Sequence, residues 1–158
     1  VNGATRAAIA LGCNLGDCTT TLAAARAAIR GLPDTALLGA VADVRTAAIA
    51  PAPQPDYLNG MVVVRTTLAP AALLDALHAI ETAHGRTRPA RHAPRTLDLD
   101  LVWVDGVDSD APSLVLPHPA LAARPWLRAQ LAALVGEGAA AQALAVVRAR
   151  RVADPRTA

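Results

Sequence analysis

Leucine and aspartate alternate through Thr96-Leu97-Asp98-Leu99-Asp100-Leu101, and no other pattern in the chain narrows the fold as far. A period of two belongs to a β-strand, which sends Leu97, Leu99 and Leu101 to one face and Asp98 and Asp100 to the other. The leucines require a core beneath the sheet. The aspartates require water or a cation on the opposite face. The apolar run continues to Val104, making 96–104 the strongest strand in the chain. Asp105-Gly106 then supplies turn chemistry that predicts a hairpin to a poorer strand near Ser113–Leu116.

The segments before this strand supply its partners. Ala7–Leu11 is a short apolar run ending at Gly12-Cys13-Asn14-Leu15-Gly16-Asp17, a tight turn of Gly, Asn and Asp. Leu22, Ala25, Ile29 and Leu32 then recur at helical spacing until Pro33-Asp34 stops them. Leu37–Ile49 carries scattered β-branched residues, weak evidence for a strand, and runs into Pro51-Ala52-Pro53-Gln54-Pro55, which cannot pair in a sheet. Tyr57–Thr67 contains the buried-strand signature Met61-Val62-Val63-Val64. Pro70 suits the first position of a helix over Ala71–Ala83, with Leu73, Leu77, Ile80 and His84 on one stripe and Gly85 as its stop.

From Arg86 to Arg95 the chain has four arginines, two prolines and no apolar period, which predicts an exposed cationic loop. Beyond Pro117-His118-Pro119, helices are expected over Ala120–Val135 and Ala139–Arg150, parted by Gly136-Glu137-Gly138 and followed by a polar tail. The first six elements thus run strand, helix, strand, strand, helix, strand. This order predicts an α+β fold, a ferredoxin-like three-layer sandwich in which an antiparallel βαββαβ core carries an extra hairpin and C-terminal helices.

Composition limits the function. The 158 residues are 53% hydrophobic and 18% charged, which predicts one domain over 1–158. No apolar run reaches the roughly 18 residues of a spanning helix, and the opening residues lack a signal-peptide profile, so the expected location is cytoplasmic. All 15 Lys+Arg residues are arginine, yet the net charge is only +2 and aromatics are 2%, which argues against a nucleic-acid partner. Cys13 and Cys18 have no second pair to complete a metal site or a disulfide framework and read as two reduced thiols. There is no GxxxxGK[ST], GxGxxG or GxSxG motif, which excludes P-loop NTPases, protein kinases and serine hydrolases of the nucleophile-elbow type.

Two carboxylates on one strand face stand about 6.5 to 7 Å apart along the chain. In a dry site they repel each other unless a cation lies between them. Hard oxygen donors of this kind suit Mg²⁺, which takes one or two carboxylates and leaves its other positions to water and phosphate oxygens. The guanidinium groups of Arg86, Arg88, Arg91 and Arg95, just upstream, match phosphate oxygens. Together they point to a polyphosphate substrate, although either feature alone is more often plain solvated surface.

Four runs carry a resemblance: Leu11-Gly12-Cys13-Asn14-Leu15-Gly16-Asp17; Gln54-Pro55-Asp56-Tyr57-Leu58-Asn59; Gly85-Arg86 through Pro94-Arg95-Thr96-Leu97-Asp98-Leu99-Asp100; and Leu116-Pro117-His118-Pro119. In this order, over roughly Ala7–Trp126, the chain resembles the 6-hydroxymethyl-7,8-dihydropterin pyrophosphokinases of folate biosynthesis. The resemblance implies transfer of diphosphate from ATP to the pterin hydroxymethyl oxygen, with release of AMP. It also implies Asp98 and Asp100 as ligands of two Mg²⁺ ions, and Arg86 and Arg95 as catalytic arginines with Arg88 as an auxiliary. Glu81, His118 and Arg124 fall at positions on the ATP side, with a local turn cap as the other reading of His118. On the pterin side, Asn59 would pair with the amide edge, Tyr57 and Trp126 would sandwich the ring, and Thr46 would add a polar contact. The implied partners are pterin and ATP, for a monomer that can associate with other folate enzymes.

The chain departs from the family pattern at Cys13, usually Ser; at His92-Ala93, usually Trp-Gly; and at Ala122-Ala123, commonly His-Glu. Leu127-Arg128-Ala129-Gln130-Leu131 lacks the usual apolar, Pro-containing continuation. A catalytically impaired pterin- or nucleotide-binding relative is the alternative to an active enzyme.

Overall fold

The computed structural model describes residues 3–50, 52–85 and 96–154. Its elements in chain order are β1 (Thr5–Cys13), α1 (Cys18–Arg30), β2 (Thr35–Ala40), β3 (Val44–Thr46), β4 (Tyr57–Thr66), α2 (Pro70–Ala83), β5 (Asp98–Val104), β6 (Ser109–Ala111) and β7 (Leu114–Leu116). A 3₁₀ turn at Pro119–Ala122, α3 (Pro125–Val135) and α4 (Glu137–Ala153) complete the chain. Among the described residues this is an α+β structure in which an antiparallel sheet, ordered β2-β4-β1-β5 with β3 also paired to β4, lies against four α-helices.

Strand alternation divides the core between the two faces of the sheet. Ile9 and Leu11 of β1, Val62 and Val64 of β4, and Leu99 and Leu101 of β5 meet Leu22, Ala25 and Ile29 of α1 and Leu73, Leu77 and Ile80 of α2. On the other face Ala8, Met61, Val102 and Trp103 meet Leu127 and Leu131 of α3 and Ala140, Ala143 and Val147 of α4. Each fully buried Leu, Ile, Val or Met side chain contributes about 1.5–3 kcal/mol to keeping these layers together. A register shift between Ala8 and Ile9 leaves Val102 without a cross-strand partner, so Val102 and Trp103 both pack toward α3 and α4.

Four expectations need correction. The weak strand over Leu37–Ile49 is two strands, β2 and β3, which pair with successive stretches of the long β4. Asp105-Gly106 does make a turn, with Gly106 at φ +70, but it closes only the bridge between Val104 and Val107. The hairpin forms further on, between β6 and β7, as a separate two-stranded sheet. The helix expected over Ala120–Val135 is interrupted, because Pro125 cannot donate the amide that would continue the 3₁₀ turn and instead begins α3.

The fourth correction concerns the cysteines. Cys13 and Cys18 are not two thiols but a disulfide, with Cα atoms 5.5 Å apart. Gly16, at φ +82, turns the chain back so that the last residue of β1 faces the first of α1. A single pair needs only that separation, not a framework of several bridges.

Asp17 caps α1. Its carboxylate accepts hydrogen bonds from the Thr20 backbone N–H at 3.2 Å and the Thr20 hydroxyl at 2.8 Å. These bonds favour the charged form and hold its pKa below the ordinary carboxylate value. Because the folded-state pKa is the lower one, the cap stabilises the helix at any pH above the unfolded value and is lost as pH falls through the folded value. Protection of the Thr20 amide, its exchange rate relative to an unstructured amide at the same pH, is therefore expected to fall on acidification through that window. In Asp17→Asn, which keeps an acceptor but cannot titrate, this loss of protection disappears; if it persists, the carboxylate is not its cause.

Candidate functional site

The central strand β1 presents Ala8, Ala10 and Gly12 on its α3-side face, and their small size hollows the sheet. Gly12 lies opposite Asn59 of β4 on one side and Asp98 of β5 on the other, while Ala10 lies opposite Met61 and Asp100. A Cβ placed on Gly12 would stand 3.5 Å from Asn59 Oδ1 and 3.8 Å from both the Asp98 Cβ and the Tyr57 ring. Polar side chains from the flanking strands thus surround a floor with almost no side chains of its own. Above it is a cavity of about 300 Å³, whose walls include Thr46, Ile49, Gln54, Tyr57, Asn59, Asp98, Asp100, Arg124, Trp126 and Leu127.

Seven residues chosen from sequence therefore share one cavity: Thr46, Tyr57, Asn59, Asp98, Asp100, Arg124 and Trp126. They come from β3, β4, β5 and the start of α3. The Arg124 guanidinium lies over the Trp126 ring, 5.8 Å from its centroid, a cation–π geometry. Asn59 Nδ2 donates to Thr46 Oγ1 at 2.7 Å, so these two residues form one polar unit.

His118 does not line the cavity but adjoins it. Its Nδ1 accepts the Ala120 N–H at 3.1 Å, capping the 3₁₀ turn, and its Nε2 lies 3.9 Å from Asp100 Oδ1. With Nδ1 as an acceptor, the neutral ring carries its proton on Nε2, the nitrogen facing the carboxylate. Both sequence readings of His118, turn cap and site residue, are consistent with this placement. Glu81 is buried in α2, in the helical layer on the opposite face of the sheet, and does not line the cavity. Arg86, Arg88 and Arg95, with His92-Ala93, lie outside the described residues.

Sequence reasoning missed the residues that build the site without projecting into it. Ala10 and Gly12 could have been found by alternation, since they share the face of Asp98 and Asp100. Asn14, which is buried, donates from Nδ2 to Gln54 Oε1 at 3.0 Å and to the Pro55 carbonyl at 3.2 Å, tying the proline segment to the β1–α1 turn. Gln130 of α3 donates from Nε2 to the Asn59 carbonyl at 3.1 Å across 71 positions of sequence, a contact no local signal announces.

Comparison with known proteins gives the class. The chain is 40% identical over 129 residues to a 2-amino-4-hydroxy-6-hydroxymethyldihydropteridine pyrophosphokinase of Pseudomonas aeruginosa, covering 82% of this chain and 80% of that protein. It is 41% identical over 113 residues to the protein of that name from Pseudomonas putida, covering 72% and 93%, and 35% identical over 128 residues to one from Methylorubrum extorquens, covering 81% of each. The chain is thus an enzyme of the diphosphotransferase class. Residues 8–136 match the model of the 7,8-dihydro-6-hydroxymethylpterin-pyrophosphokinase family, and the chain belongs to that family.

Proposed function

We propose that the chain transfers diphosphate from ATP to the hydroxymethyl group of 6-hydroxymethyl-7,8-dihydropterin, releasing AMP, as a step of folate biosynthesis. The observation that carries this reading is the grouping of Asp98 and Asp100 with Thr46, Asn59, Tyr57 and Trp126 in one cavity of a member of this family. Strand order β2-β4-β1-β5, with all neighbours antiparallel, supports the ferredoxin-like description of the core.

In this reaction the hydroxymethyl oxygen forms a bond to the β-phosphorus. The bond from that phosphorus to the oxygen bridging the α-phosphate breaks, AMP leaves with the electron pair, and the hydroxyl proton is lost. Asp98 and Asp100 offer hard oxygen donors on one face of a rigid strand, a donor set that fits two Mg²⁺ ions whose remaining ligands are phosphate oxygens and water. Held by Asp98 and Asp100, Mg²⁺ would supply charge neutralisation for the phosphates and polarisation of the reacting oxygens. Tyr57 and Trp126 stack the pterin ring, and the Thr46–Asn59 pair meets its amide edge. Arg124 and His118 face the triphosphate from the start of α3 and the 3₁₀ turn, whereas Glu81, buried in α2 on the opposite face of the sheet, takes no part in this reading. Arg86 and Arg95, with Arg88 assisting, offset the charge that develops as the α,β-phosphate link breaks.

The partners in this reading are two small molecules, with no nucleic acid or membrane. Among the described residues no helix is long and apolar enough to cross a membrane. We place the enzyme in the cytoplasm, where ATP is supplied, as a monomer able to associate with other folate enzymes. A 39% identical stretch of 83 residues in the mitochondrial folate synthesis bifunctional protein of Pisum sativum supports such association.

Purified protein given ATP, Mg²⁺ and the pterin should release AMP, separated by chromatography, in amounts that depend on the pterin and vanish with EDTA. A protein that binds pterin yet releases no AMP would overturn the enzymatic reading and favour the binding relative.

A further inference from the structure

Asn59 is held from two sides: its side-chain amide donates to Thr46 Oγ1, and its backbone carbonyl accepts from Gln130 Nε2. The second contact comes from α3, the helix whose first turn carries Trp126 and Leu127 into the cavity wall. Gln130 follows Trp126 by four positions, so the two side chains lie on one helical stripe, one turn apart. Gln130 is 5% exposed, between the fully buried Leu131 and the core of the α3 side. Its Oε1 is buried without a hydrogen-bond partner. Burying an amide so deeply costs stability, and an unpaired acceptor adds to that cost. A leucine or methionine here would fill the space without it. What the amide supplies instead is a directed link between the helix bearing one ring of the cavity and the strand bearing Tyr57 and Asn59.

We propose that Gln130 is a positioning residue that sets the spacing of Trp126 from Tyr57 and Asn59, and through it the affinity for the flat heteroaromatic substrate. This inference rests on the pterin assignment proposed above. Gln130 does not line the cavity, so its effect passes through Asn59 and α3. Asp98 and Asp100 belong to β5, on the far side of β1 from the strand that Gln130 contacts.

The test is steady-state kinetics of AMP release by Gln130→Met and Gln130→Leu, varying pterin and ATP separately, with thermal unfolding alongside. Losing one hydrogen bond to the Asn59 carbonyl is expected to raise KM for pterin about three- to tenfold. KM for ATP should not change, and Tm should move little, because the loss of the unpaired Gln130 acceptor offsets the donor lost by the Asn59 carbonyl. Leu131→Val serves as the control, since it loosens α3 packing without touching Asn59; it should lower Tm and leave the two KM values in their original ratio. An unchanged pterin KM in the Gln130 variants overturns the proposal, as does a parallel rise in both KM values or a selective pterin effect in Leu131→Val. If Gln130→Met does not fold, Gln130→Leu decides. Wild-type protein without pterin-dependent AMP release would be a failure of the proposed function instead, and the two failures are read from different proteins.

Discussion

Replacing Asp98 or Asp100 with alanine is expected to lower pterin-dependent AMP release by more than about a hundredfold while leaving the thermal midpoint unchanged or slightly higher. The asymmetry follows from where the strand puts these side chains. Leu97, Leu99 and Leu101 carry the packing of this strand segment and are all buried, whereas the Asp100 side chain is 35% exposed at the cavity. Removing a carboxylate takes nothing from the apolar core, and the repulsion relieved between like charges on one face offsets the polar contacts given up, such as the approach of His118 Nε2 to Asp100 at 3.9 Å. Asn variants, which keep shape and lose charge, should behave like the alanine variants. A variant that turns over near the wild-type rate would mean that the pair does not hold the metal. A variant that unfolds would mean that the carboxylates stabilise the fold through contacts outside the catalytic reading.

The second large effect is expected at Gly12. A Cβ there meets only ordinary contacts, the nearest at 3.5 Å, so Gly12→Ala should fold normally. Gly12→Val adds two further methyl groups to the floor between Asn59 and Asp98. A strand interior gains from exchanging glycine for a β-branched residue, so Tm should hold or rise. The added groups occupy the space a flat ring would need, and kcat/KM for pterin should fall by more than about a hundredfold. Gly12→Ala should fall between that and wild type. If Gly12→Val keeps its wild-type kcat/KM, the substrate does not lie on this floor and the pterin assignment of Asn59 and Tyr57 fails with it.

Most of the fold was legible wherever the signal was local. The alternation at Leu97–Leu101, the stripe Leu22, Ala25, Ile29, and Pro70 at a helix start each report on a few neighbouring residues, and the structure agrees with them. Pairing choices were not legible. Asp105-Gly106 encodes a turn but not which strands the turn will join, and β7 bonds to β6 rather than β5. The edge strands β2 and β3 are only half-buried, so they need no apolar run to exist; their stability comes from β4, which is long enough to pair with both in succession. The disulfide was missed for a related reason. Counting cysteines tests for a framework, whereas the bridge depends on the turn at Gly16, which sets the two Cα positions.

The candidate site divides the same way. Side chains that line the cavity were found, because Asp-x-Asp, Tyr57, Asn59 and Trp126 stand in recognisable strings. Side chains that hold those residues were not, because their partners are remote: Asn14 to Gln54 and Pro55, Gln130 to Asn59.

The C-terminal helix α4 draws a different boundary from the one the family defines. Residues 8–136 contain every side chain assigned to the site, yet Ala140, Ala143 and Val147 complete the core behind α3, and Arg150 Nη2 donates to the Leu116 carbonyl at 2.8 Å, two residues before His118. A chain ended at Gly136 would keep the side chains assigned to the site and uncover the apolar backs of Leu127, Leu131 and Trp103, so α4 belongs to the folding unit although it lies beyond the matched segment.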